Sequence, residues 1–138
     1  MPMTNLEKAK EIFYSGNYSF VLVKNEDIIS SSQKGIMQIV ELIESGKDFT
    51  DYSLCDRIAG RAAAFLYILL GVKEVHSVKM TKLATNILDR AEIKFSADEY
   101  IEKVLDSELK NTDRFENAVI HSGSAITALE DIKKELAK

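Results

Sequence analysis

The period of the apolar residues changes repeatedly along this chain, and the changes mark out its elements. Leu6, Ala9 and Phe13 fall on one side of a helix, Thr4 with Glu7 fits a capping box in front of it, and Gly16 follows as a stop, so the spacing predicts a helix over Asn5 to Ser15. Ser19 to Val23 is β-rich with apolar residues on both faces and reads as a central strand. Ile28-Ile29, beyond the polar turn Asn25 to Asp27, completes a hairpin. Ile36, Ile39, Val40 and Ile43 then repeat at i, i+3, i+4, i+7 and stop before Gly46, which predicts a second helix.

From Leu54 to Leu70 there is almost no polar side, since Ile58, Ala59, Ala62 to Leu70 and then Val72 are apolar. The run reads as one buried helix with a polar, Cys-containing start. A strand over Lys73 to Val78 follows, then a helix capped by Thr81 with Leu83, Ala84, Ile87 and Leu88 inward, then a short strand over Ile93 to Phe95. Glu99 to Leu109 suits a helical side or an irregular edge strand equally well. Asp113 with Glu116 suggests another capped start. Ser124 opens a final helix at about residues 124–137, with Lys133, Lys134 and Lys138 near its negative pole.

This order implies an α/β fold, a three-layer α/β/α sandwich whose crossovers are right-handed. Ligands on such sheets gather at the carboxyl ends of strands and at helix N-termini. The pocket is therefore expected around Ser30 to Gly35, Ser53 to Arg57 and Lys79 to Lys82.

Composition narrows the function classes. A chain of 138 residues with 46% hydrophobic content is expected to form a single domain over 1–138 with one core. A net charge of −4, with lysines scattered among glutamates, argues against a nucleic-acid surface. The single cysteine, Cys55, excludes an intrachain disulfide and a closed thiolate zinc cage, and fits a reducing, cytoplasmic setting. The longest apolar run, Ala62 to Val72, is too short to span a bilayer, and the first residues lack an apolar signal core, so a soluble protein without a membrane partner is expected. Phosphate-binding glycine loops, the Gly-x-Ser-x-Gly elbow and the His-Glu-x-x-His zinc motif do not occur.

The candidate chemistry sits on the Ser53 to Arg61 segment. Read as the helix start, it would lower the Cys55 thiol pKa, with Arg57 and Arg61 nearby, or hold an inert buried thiol. Asp56 would cap the helix or accept hydrogen bonds from a ligand. Gly60, inside that helix, would cost about 1 kcal/mol relative to Ala and so serve close packing. Arg61, a charge in an apolar run, must reach solvent, a carboxylate or a ligand. Lys34-Gly35 before the second helix could form an anion site or a solvated loop. His76 and His121 have no ligand spacing and read as ordinary structural or surface residues.

The run DRIAGRAAA from Asp56 to Ala64, continuing as GVKEV from Gly71 to Val75, resembles the signature of a small prokaryotic family of unknown function. Lys34-Gly35-Ile36 and the helix ending in Asn86-Ile87-Leu88 match its pattern in the same order. The likeness spans roughly Asn5 to Val119, with the C-terminal helix beyond it. It implies a cytidine-deaminase-like fold with a mixed sheet. The family usually carries Cys-Pro-Met-Glu near its C-terminus, and this chain has Asp113-Arg114-Phe115-Glu116, keeping only Glu116.

Zinc deamination needs groups this sequence lacks. Such sites use a His or Cys ligand at the helix start, a Glu two residues on, and Pro-Cys-x-x-Cys at the next helix. Here Arg57 stands where the Glu would be, and Met80 to Ala84 offers no thiolate. No metal or cofactor is expected. Three readings stay open. One is a non-catalytic module binding a small polar or anionic metabolite, with Lys34, Gly35, Ser53, Cys55, Asp56, Arg57, Arg61, Thr81 and Glu116 as candidate contacts. Another is an enzyme using Cys55 as nucleophile or Asp56 as base. The last is a mainly structural homo-oligomer.

Overall fold

Thr4 opens the first helix, α1 (Asn5–Ser15), with the reciprocal bonds of a capping box, its hydroxyl accepting from Glu7 N and the Glu7 carboxylate accepting from Thr4 N. The computed structural model describes residues 2–106 and 108–138. After α1 come β1 (Phe20–Lys24), β2 (Asp27–Ser31), α2 (Met37–Glu44), β3 (Ser53–Ala59), α3 (Arg61–Leu70), β4 (Glu74–Thr81), α4 (Lys82–Arg90), β5 (Lys94–Ile101), α5 (Arg114–Ala118) and α6 (Ala125–Leu136).

The strands form one five-stranded sheet in the order β2-β1-β3-β4-β5. β1 pairs antiparallel with both neighbours, whereas β3, β4 and β5 run parallel, so the sheet is mixed. β1 lies inside the sheet, as its two apolar faces predict. Val21 and Val23 pair with Cys55 and Ser53, and pack under Ala9 and Phe13 of α1. Phe20, Leu22 and Leu54 point the other way, into a larger core shared with α2, α3, α4 and α6. Successive parallel strands step in one direction, so crossovers of one hand put α3 and α4 on the same face, where they touch. Helices thus cover both faces of an α/β sheet.

One expected element is wrong in kind. The run read as a helix from Leu54 to Leu70 is a strand, β3, followed at once by a helix, α3, with Gly60 as its N-cap. A short apolar stretch buried on both sides carries no usable period, so strand and helix look alike in it. The consequences are local but decisive: Cys55 and Asp56 lie mid-strand, not in a first helical turn, and Gly60 is not inside a helix.

The other differences concern extent. The short strand at Ile93 to Phe95 is the start of the eight-residue β5. Glu99 to Leu109 begins as the end of that strand and continues without helix, tied by a bridge between Leu105 and Thr112, with Ser107 outside the described residues. Thr81, Asp113 and Ser124 each cap a helix as their sequence positions predict.

Candidate functional site

At its carboxyl end β3 turns directly into α3, and the turn leaves two groups of buried carboxylate chemistry side by side. Asp56, only 8% exposed, sits on the sheet face that α3 covers. Its Oδ1 accepts from Arg57 N at 2.7 Å and its Oδ2 from the buried Tyr67 hydroxyl of α3. Burial pushes the Asp56 carboxyl up to about 6, against the pull of those two donors and of the Arg57 charge. Burial, reinforced by the neighbouring Asp56 charge, also raises the Tyr67 phenol.

The second group is Glu116. Gly60 has no side chain with which to cap α3, and Glu116 reaches in from α5 to do so, its two oxygens accepting from Arg61 N at 2.8 Å and Ala62 N at 2.7 Å. A carboxylate on a helix N-terminus is favoured by both hydrogen bonding and the dipole. The approach is so close that a Cβ on Gly60 would stand 2.2 Å from Glu116 Oε1 and 2.7 Å from Val104 Cγ2. Glu116 is itself aimed by Asp113, whose Oδ2 accepts from Phe115 N and Glu116 N. The close packing expected of Gly60 is real, but its partner is a carboxylate and its place is the helix start.

Both groups border a cavity of about 640 Å³ between β1, the loop before α2, the end of β3, and α5. Its walls include Phe20, Ile36, Ile39, Ile58, Val104 and Phe115; its polar lining includes Asp56, Asp113, Glu116 and Lys34. Gly35 at the rim has φ +101°, a conformation that L side chains rarely adopt, which explains a glycine there although nothing crowds its Cβ position. The size lies in the range of small-ligand sites.

Of the residues singled out from sequence, Lys34, Gly35, Asp56, Arg57 and Glu116 come together around this cavity. The other four do not. Ser53 lies at the opposite end of β3, donating to Glu74 at 2.8 Å. Cys55 is fully buried on the α1 face, where desolvation drives its thiol up to about 12. Helix activation of that thiol is therefore absent. Arg61 opens α3, its Nη1 is 3.5 Å from the Ile120 carbonyl, and its buried Nε has no partner among the described residues. Thr81 is 1% exposed and caps α4 through Ala84 N. Even Arg57, though at the rim, donates its guanidinium to the Tyr18 carbonyl and lies over the Phe13 ring, on the α1 side.

Sequence reasoning missed two features. Tyr67 gave no sign of meeting Asp56, because only the fold of α3 back over β3 joins them. On the α1 face His76 makes a network: Nδ1 lies 2.8 Å from Ser96 Oγ, and Nε2 lies 3.1 Å from Asp98 Oδ1 and 3.3 Å from Tyr14 Oη, while the Tyr14 hydroxyl donates to Asp98. The β4–β5 register, which pairs His76 with Ser96, creates it. Burial lowers the His76 pKa, with the Lys10 charge acting the same way. Among the described residues no group of three or more His, Cys, Asp or Glu side chains is arranged to hold a metal ion, and no helix is long and apolar enough to cross a membrane.

Comparison with known proteins gives one family. Residues 8–136 match the family model described as "Domain of unknown function (DUF1893)". The match runs to the end of α6, so the C-terminal helix lies within the family's common part, and the expectation that it extends beyond is corrected. No curated protein matches the chain. The crystal structure of a DUF1893 family protein (TM1506) from Thermotoga maritima superposes with a TM-score of 0.88 at 23% identity, covering 98% of this chain and 92% of that one. At that identity the likeness speaks for the fold.

Proposed function

Because the chain belongs to the DUF1893 family, whose description is a domain of unknown function, we propose its role from the geometry of the cavity: a non-catalytic module that encloses a small polar metabolite at the carboxyl end of β3. The observation that carries this reading is the Asp56 carboxylate, nine-tenths buried yet bordering about 640 Å³ of space with apolar walls. A buried ionisable group next to a concave surface is the usual mark of a binding site. The anionic ligand expected from sequence loses its main support, since Glu116 already occupies the start of α3.

In this reading the whole chain is one cytoplasmic domain on a cytidine-deaminase-like three-layer scaffold that works without zinc. The mixed sheet with helices on both faces supports the scaffold, and the larger core, which runs from β1 to α6, supports the single domain. Thermal shifts against a metabolite panel test the module: a ligand at 100 times its dissociation constant adds about 2.7 kcal/mol. No compound moving the midpoint, with wild-type protein folded, counts against it.

A second reading has its own observation. A carboxyl at about 6 is well poised to take and return a proton near neutral pH, which favours Asp56 as a general base and leaves Cys55 without a role. Any turnover found in a substrate screen should then show a pH break near 6 that Asp56→Asn removes. A third reading, the homo-oligomer, draws on β2 and β5, which end the sheet with one backbone edge each unpaired among the described residues. Sedimentation at micromolar concentration tests it.

A further inference from the structure

At the cavity floor five backbone N–H groups and the Tyr67 hydroxyl are committed to carboxylates that keep further acceptor capacity. At the start of α3 the Arg61 and Ala62 N–H groups go to Glu116. The Arg57 N–H goes to Asp56, and those of Phe115 and Glu116 go to Asp113. The Arg57 guanidinium is held on the far side by the Tyr18 carbonyl and Phe13. A carboxylate oxygen can accept more than one hydrogen bond, whereas each N–H gives only one. Each oxygen of Asp56 and of Glu116 accepts a single bond, and Asp113 takes both of its bonds on one oxygen. An incoming anion meets like charge from Asp56, Asp113 and Glu116 here.

The features that favour an anion lie at the rim, where the exposed Asn17 amide and Ser32 hydroxyl also have no hydrogen-bond acceptor among the described residues. Lys34 is exposed and has no carboxylate partner among the described residues, and α2 begins without a side-chain cap. Charges there face solvent and are screened, while Asp56 and Glu116 act from buried positions where electrostatic interactions are stronger. The floor, not the rim, sets the preference.

Resting on the cavity reading above, we infer that the ligand carries a cationic hydrogen-bond donor, an ammonium, amidinium or guanidinium, on an apolar body. The head sits against Asp56 and Glu116, and the body lies along Phe20, Ile39 and Phe115. The raised Asp56 pKa fits the same picture, because burial disfavours the carboxylate form more than the two donors and the Arg57 charge restore it.

Charge-swapped probes with one apolar body test this. Benzylamine and benzamidine are titrated against the full chain beside benzoate and phosphate, with amide chemical shifts and thermal midpoints as readouts. The expected result is saturable binding of the cations that perturbs the cavity residues, with at least tenfold weaker binding to Asp56→Asn. Ile58→Trp, a substitution at an exposed wall position that leaves every carboxylate in place, should block the same probes if Asp56→Asn fails to fold. Benzoate or phosphate binding more tightly than the cations, and lost in Lys34→Ala, overturns the ligand class while the cavity reading stands. If neither series perturbs a cavity residue, the cavity reading falls as well.

Discussion

Asp56 is the residue whose chemistry the fold changes most. In the unfolded chain its carboxyl titrates near 3.8, and in the folded chain near 6. Between those values the folded state holds a proton that the unfolded state has released, so this residue's contribution to stability is fully present below pH 3.8 and is lost as pH rises through 6. A displacement of about two units corresponds to something on the order of 3 kcal/mol. Asp56→Asn should therefore flatten the fall in stability across that window, measured by urea denaturation at stepped pH. A slope unchanged in the variant would show that burial leaves this carboxyl alone. His76 acts in the opposite sense. Its pKa is lowered, chiefly by burial, so the unfolded chain takes up its proton first and stability falls as pH drops below about 6.5.

The junction of β3 with α3 works as a unit of three parts: a glycine without a side chain, a carboxylate from a distant helix, and the two N–H groups it satisfies. Gly60→Ala keeps an ordinary backbone conformation but drives a methyl group into Glu116 and Val104. The expected cost is about 2 kcal/mol, from overpacking and a disturbed cap together. Glu116→Gln keeps the shape and one good acceptor, and should cost about 1 kcal/mol; Glu116→Ala, which leaves both N–H groups unmet, should cost more. Chemical denaturation ranks the three. Equal, negligible losses would mean that solvent replaces the cap without penalty. The sequence showed a capped start at Asp113 and Glu116, and the α5 N-cap is there; that Glu116 also serves α3 is a long-range contact that local spacing does not encode.

For the whole molecule the α1 face and the α3 face are separate systems joined through the sheet. α1 is held by Ala9 and Phe13 in a small core of its own, and by Tyr14, whose hydroxyl meets Asp98 and His76 from two different strands. Tyr14→Phe removes those bonds and keeps the ring, so it should lower global stability by about 1 kcal/mol. Its larger effect should be faster amide exchange in α1 than in α3. Exchange rising equally in both helices would mean that the network does not anchor α1 separately. The cavity on the opposite face should keep its probe binding in this variant, since none of its lining residues touches Tyr14 through a hydrogen bond.

Local pattern determined much of this protein by itself. The bounds of α1, the hairpin, the α2 face, and the caps at Thr81, Asp113 and Ser124 follow from short-range periodicity and from side chains that bond their own neighbours' N–H groups. Lys34, Gly35, Asp56, Arg57 and Glu116 were also legible as polar or glycine breaks beside apolar runs. Tertiary structure decided the rest. Whether Ser53 to Ala59 is strand or helix depends on the partners it finds, because a segment buried on both sides gains from burial in either form. That choice put Cys55 on one face of the sheet and Asp56 on the other, so one became a sealed thiol and the other the floor of a cavity.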